Sequence, residues 1–283
     1  MIQQIENNES GSSVRSKLNE VIDIVNQEET GTLPNLSVGP TGDYPTINQA
    51  LNRLTRMYPL MSVSGGVLRA TITLQSNYVM NEQVLVNGLN LGWIRIQSTG
   101  TVTINRSALT TDLTNLDYGF NSYPAFGVIN GGTLPVISGS FTMNTSGSAS
   151  NQSIITVTGA GSSANVDTGS SLTNATGHNV AVGYGATFQA RDSSITGSLN
   201  RNNVNVNNAS TASFNKCVLT GASNGSSVQA TRNCRVSLHN SEIDNDGLAI
   251  GNGSIVSVTG TLSGSYSYQD NTLLSEGIIF RIP

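Results

Sequence analysis

An apolar pattern returns every 24 residues through the second half of this chain, and it restricts the fold more than any other feature. Val182, Val206 and Ala230 are in phase. So are Phe188, Ala212 and Val236; Ala190, Phe214 and Leu238; and Ile195, Leu219 and Ile243. With φ for apolar, the unit reads φ-x5-φ-x-φ-x4-φ. Its φ-x-φ core has the strand period of two. Gly, Asn, Ser and Asp, the residues that turn a chain, fill the intervals. A unit of this length stacks on its neighbours. It is too short for a four-stranded propeller blade of roughly 40–45 residues, and it lacks the dense leucines of a leucine-rich repeat. Three short strands and three turns fit it: one coil of a parallel β-helix, with successive coils about 4.8 Å apart.

The pattern extends both ways. Val157, Ala164, Val166 and Leu172 form the preceding coil, and Val128, Leu134, Val136 and Phe141 the one before it. The longer step from Val128 to Val157 predicts an inserted loop around residues 142–152. Val84, Val86, Ile94, Ile96, Val102 and Ile104 read as earlier strands, and residues 105–126 as a protruding loop. Ile250, Val256, Val258 and Leu262 give a last coil with a step shortened to 20. About eight coils fit between Gly65 and Gly264 at this period.

Charged residues make up 11% of the chain, so the surface is mostly Ser, Thr, Asn and Gly. Such a composition by itself suits a disordered chain; side chains held in phase over many coils argue for order. The formal net charge is −4 and no basic patch is visible, which argues against nucleic acid as a partner. The first residues, Met1-Ile2-Gln3-Gln4-Ile5-Glu6, have neither a basic nor an apolar signal region. No apolar run of about 18 residues exists, so no membrane insertion is expected. Cys217 and Cys234, the only cysteines, fall at different phases of adjacent coils. Two buried thiols are expected rather than a disulfide, as in a protein made in a reducing cytosol. There is no metal-ligand cluster, phosphate loop or Ser-His-Asp set, and no cofactor is expected.

Four segments follow. In residues 1–30 charge is denser, Ser12 and Ser13 are good helix caps, and Val14, Leu18, Val21 and Val25 follow at 4-3-4 spacing. That is a coiled-coil seam, and Leu at a with β-branched residues at d favours three or more strands. The alternative is a helix lying on its own β-helix. In residues 31–62 a Gly31-to-Asn35 linker precedes a short helix with Thr46 as N-cap, Gln49 at the capping-box position and Ile47, Ala50, Leu51 and Leu54 as its apolar face. Such a helix would cover the open first coil. Residues 63–265 are the β-helix. Residues 266–283 end in the apolar strand Ile278-Ile279-Phe280-Arg281-Ile282, which either closes the last coil or packs with symmetry mates.

The string Gly42-Asp43-Tyr44-Pro45-Thr46-Ile47-Asn48-Gln49-Ala50-Leu51 resembles the opening motif of pectate-lyase-like right-handed β-helix proteins, a group with many bacteriophage tailspikes. Upstream, Glu9 to Asn19 (Glu-Ser-Gly-Ser-Ser-Val-Arg-Ser-Lys-Leu-Asn) is similar to N-terminal segments of phage tail-fibre and tailspike proteins. The two motifs cover about a tenth of the chain, and the repeat covers most of the rest. The resemblance implies an all-β, right-handed, single-stranded parallel β-helix with an N-terminal α-helical segment, assembled as a homotrimer. It implies a virion protein, made in the host cytoplasm, that joins another virion protein through its N-terminal region and contacts a host surface polysaccharide. Two further roles are expected alternatives: a polysaccharide depolymerase, and a head fibre or decoration protein of the capsid.

Chemistry can be sought by phase. Glycoside hydrolysis needs two carboxylates roughly 5–9.5 Å apart. Asp192 should stack on Lys216 and then Asn240, and Asp167 on Arg191, both as ion pairs. Glu242, Asp244 and Asp246, at i, i+2 and i+4, form the best acid group; they are either catalytic candidates or a solvated turn. Arg191, Asn215 and His239 share a phase and should form an outward column, either a sugar-binding stripe or an ordinary polar face. His178 reads as a turn residue, and Trp93 as lying outside or packed under a loop. The family's catalytic carboxylates have no motif that can be matched here.

Overall fold

The computed structural model describes residues 18–19, 34–57, 70–113, 122–144, 151–222, 225–243, 247–263 and 277–282. Of the N-terminal seam, only Leu18 falls within them; Val14, Val21 and Val25 lie outside, as do Asp244 and Asp246.

The fold is all-β and β-helix-like: parallel strands stacked into two sheets that present three faces. The first face holds Ser163–Val166, Thr187–Arg191, Thr211–Asn215, Arg235–His239 and Ser254–Thr259. The second holds Ser171–Thr173, Ser194–Thr196, Val218–Leu219 and Glu242–Ile243. The third holds Gln152–Thr158, Val180–Gly183, Val204–Asn207, Val228–Thr231 and Leu248–Gly251. The chain visits third, first and second in turn. The long strands Ile94–Ile104 and Val136–Met143 run through both the first and second faces and join them into one sheet.

Strand registers follow the apolar phases. Val182 pairs with Val157 and Val206, and Val206 with Ala230. Ala230 pairs with Ile250, Val236 with Val256, and Leu238 with Val258, each across the shorter step. Phe188 pairs with Ala212, and Ala190 with Phe214. Large therefore faces small on adjoining strands, so both phenylalanines fit one narrow interior at close-packed density. Their ring centroids are 5.7 Å apart and tilted by 44°. Phe126 and Phe141 meet edge to face at 5.4 Å.

Four expectations change. Ile137, not Val136, pairs with Val166. Leu134 still aligns with Ala164, so one residue is inserted between the two inward places, and Val136 turns out of the core while remaining buried. Bulges of this kind re-aim a side chain, and an apolar pair Val-Ile cannot be resolved by hydropathy alone. Phe126 belongs to the strand Tyr123–Ile129 rather than to a loop, and the described ends of the expected 142–152 loop, Thr142 and Gln152, are strand residues. The stack also begins before residue 63: Asn35–Val38 pairs with Ala70–Leu74, so Asn35 is no linker residue.

The helix Ile47–Met57 buries Ile47, Ala50, Leu51 and Leu54 in the common core, covering the first strands as its apolar face requires. Thr46 Oγ1 accepts from Gln49 N, the expected N-cap bond. A second cap arrives from 35 residues away: the Glu82 carboxylate accepts from Ile47 N at 2.7 Å and from Asn48 N at 3.1 Å. An anion there satisfies orphan donors and the helix dipole together. At the other end Gly277–Ile282 adds in parallel to Ser254–Thr259, so the terminal strand extends the stack.

The turns leading from the third face to the first set two consecutive residues in left-handed conformation: Asn130-Gly131, Tyr184-Gly185, Asn208-Ala209, Arg232-Asn233 and Asn252-Gly253. Asn and Gly suit this shape. Ala209, at φ 60°, does not; the stack above and below holds it there.

Candidate functional site

The first face carries the predicted column. Arg191 pairs in register with Asn215, Asn215 with His239, and His239 with Thr259. Each follows an inward residue by one place, so each side chain stands outside. The Arg191 side chain is 69% exposed. His239 Nε2 accepts from Asn240 Nδ2 at 2.9 Å. Between this column and a parallel one of Thr187, Thr211 and Arg235 runs a row of Gln189, Ser213, Ser237 and Ser257. Past Gln189 the row is all serine, the shortest polar side chain, so Ser213, Ser237 and Ser257 should floor a shallow trough between the longer side chains beside them.

The expected ion pairs re-form differently. Asp167 meets Arg95, at 2.7 Å, on an earlier strand than the one expected. The inserted residue at Val136 displaces the register between Arg95 and Asp167, and the long guanidinium spans the intervening strand. Asp192 lies 3.9 Å from its neighbour Arg191 and accepts from Thr168 Oγ1 at 3.5 Å, instead of pairing with Lys216. Asp192, Lys216 and Asn240 all adopt left-handed backbone, with φ 43°, 54° and 45°, so this stack is a column of turn residues.

Glu242 is exposed on the second face, in register with Val218 on one side and bridged to Ser263 on the other. Neither neighbour is acidic, so the adjoining strands set no second carboxylate on it. Asp244 and Asp246 lie outside the described residues. Among the described residues there is no metal-binding cluster of His, Cys, Asp or Glu. No described helix is long and apolar enough to cross a membrane. Trp93 is half-buried against the core. Cys217 and Cys234 are both buried and free, and burial raises both thiols above their usual pKa, which makes them poor nucleophiles.

His178 was legible only as a turn residue; the structure places it in a buried polar network. Nδ1 lies 3.1 Å from the Asn202 carbonyl and Nε2 3.1 Å from Asn205 Nδ2. A carbonyl only accepts, so Nδ1 carries the proton and Nε2 receives the amide. Burial pushes its pKa down to about 4, against the hydrogen bond to Asn202, which raises it, while Arg201 adds to the lowering. Beside it, Asn179 Nδ2 donates to Thr196 O and to Asn203 Oδ1, and Asn203 repeats the pattern toward Thr220 O. These two amides are one period apart, a spacing that could have flagged them.

A scan against protein-family models and a search of curated proteins found no match.

Proposed function

We propose that this chain is a bacteriophage virion protein: a homotrimeric, right-handed, single-stranded β-helix of about 24 residues per coil that acts as a tail spike or fibre and contacts a host surface glycan. The observation that carries the reading is the 42–51 string. It stands where a β-helix needs an end cap, and its helix buries Ile47, Ala50 and Leu54 completely. Exposed Leu18, on the proposed seam of residues 1–30, supports association through that segment rather than packing on the parent chain. The charge-poor outer faces, rich in hydroxyls and amides, suit saccharide hydrogen bonding.

Labelled protein imaged on intact virions tests the assignment, and label absent from them refutes it. Deleting residues 1–30 should abolish virion incorporation while the β-rich circular dichroism spectrum persists. Glu242 is in register with Val218 and Ser263, so a depolymerase would have to draw its second carboxylate from elsewhere than these two neighbours. New reducing ends, or ultraviolet absorbance from unsaturated sugars, after incubation with host capsule would restore the depolymerase reading.

A further inference from the structure

The three outer faces differ in charge, and the difference points to a ligand class. Between Ser163 and Thr259, the outward strand positions of the third face carry no charged side chain, and those of the second carry only Glu242. The first face alone carries cations there: Arg191 and Arg235, with His239 in addition. Not one carboxylate occupies an outward strand position on that face in this interval. Arg232 and Lys216, both exposed, stand in the turns at its two edges; two acids face the cations, Asp192 at 3.9 Å from Arg191, and Asp167, one place past the strand that pairs with Arg191's and held by Arg95 at 2.7 Å. Arg95 lies on an earlier strand of the same face, neutralised by Asp167. This local excess of positive charge belongs to a chain whose formal net charge is −4.

Geometry narrows the ligand. Arg191 ends its strand and Arg235 begins another two strands on, so they flank the serine row from opposite sides. With strands about 4.8 Å apart and about 3.3 Å per residue, their backbones are separated by roughly 16 Å diagonally across the trough. Side chains standing up from backbones that far apart suit separate acidic groups at intervals on a linear polymer. Serine and threonine hydroxyls between the cations offer partners for sugar hydroxyls. No Phe, Tyr or Trp occupies an outward strand position between Arg191 and Arg235, so the row of stacking rings typical of single-stranded nucleic-acid sites is not provided there.

We infer that the trough of the first face, between Arg191 and Arg235, binds an acidic linear polysaccharide along the stack, its carboxylate or sulfate groups meeting the arginines and its hydroxyls the serine row. This inference rests on the glycan-contact reading and adds the charge class to it.

The test uses the full chain and biolayer interferometry against immobilised polygalacturonate, hyaluronan, chondroitin sulfate, neutral dextran and duplex DNA. At least one acidic polysaccharide should bind, at least tenfold more tightly than dextran. Raising salt from 50 to 300 mM should weaken that binding several-fold, because exposed charge contacts are screened. Each exposed ion contact is worth up to about fivefold in affinity, so the double substitution Arg191→Gln with Arg235→Gln should weaken binding by about tenfold. The charge-matched control Arg53→Gln with Arg56→Gln, on the capping helix, should leave it unchanged. Equal, salt-insensitive binding of dextran overturns the acidic class while leaving glycan contact standing. Absence of binding to every polysaccharide overturns both. Duplex DNA bound as tightly as the acidic sugars overturns the polysaccharide assignment, and equal losses in the two double variants overturn the site.

Discussion

Acidification should loosen this protein through His178. The ring is buried, its proton sits on Nδ1 against the Asn202 carbonyl, and Nε2 already receives Asn205 Nδ2. A second proton would place Nε2–H against amide hydrogens inside a desolvated pocket. The folded pKa is therefore depressed to about 4 from an ordinary 6.5. For a histidine depressed in this way, the unfolded chain binds the extra proton first. Its contribution is fully present above pH 6.5, is lost progressively as pH falls from 6.5 toward 4, and stays lost below that. A shift of this size corresponds to about 3 kcal/mol in total, most of it gone by pH 4.5. Urea unfolding followed by circular dichroism at pH 7.5 and 4.5 measures it, with His178→Gln, which cannot titrate, as reference. Wild type should lose about 2–3 kcal/mol more than the variant between those two conditions. Equal losses within about 0.5 kcal/mol would refute the buried neutral imidazole.

Other consequences of the packing can be checked by substitution. Ala209→Gly should raise the thermal midpoint by about 2 °C, since relief of left-handed strain outweighs the added freedom of the unfolded chain; Gly185→Ala, one strand earlier at the same φ-positive place, should lower it. Phe214→Ala should cost about 3–5 kcal/mol in urea unfolding, because the ring is fully buried and the facing Ala190 is too small to fill the space it leaves. Glu82→Gln weakens the distant helix cap and its bond to the Tyr78 hydroxyl, so the Ile47 and Asn48 amides should exchange hydrogen roughly tenfold faster, equivalent to about 1–2 kcal/mol.

What the chain alone determined is the ladder logic. Hydropathy at a fixed step states which residues must lie over one another, because inward and outward positions alternate strictly and a slip of one place would expose the core. Val182 over Val206, the helix face from Ile47 to Leu54, and the outward column from Arg191 to His239 were all readable for that reason. Tertiary structure decided what hydropathy cannot express. Val136 and Ile137 are equally apolar, and only the pairing strands choose between them. Arg95 found Asp167 because a long flexible side chain reaches past its register neighbour. Glu82 caps a helix 35 residues away, and His178 is buried by strands remote in sequence. Each depends on distances between separate strands, and a one-dimensional pattern holds no such distances. The apolar period sets the stacking, whereas the polar contacts are settled only once the stack exists.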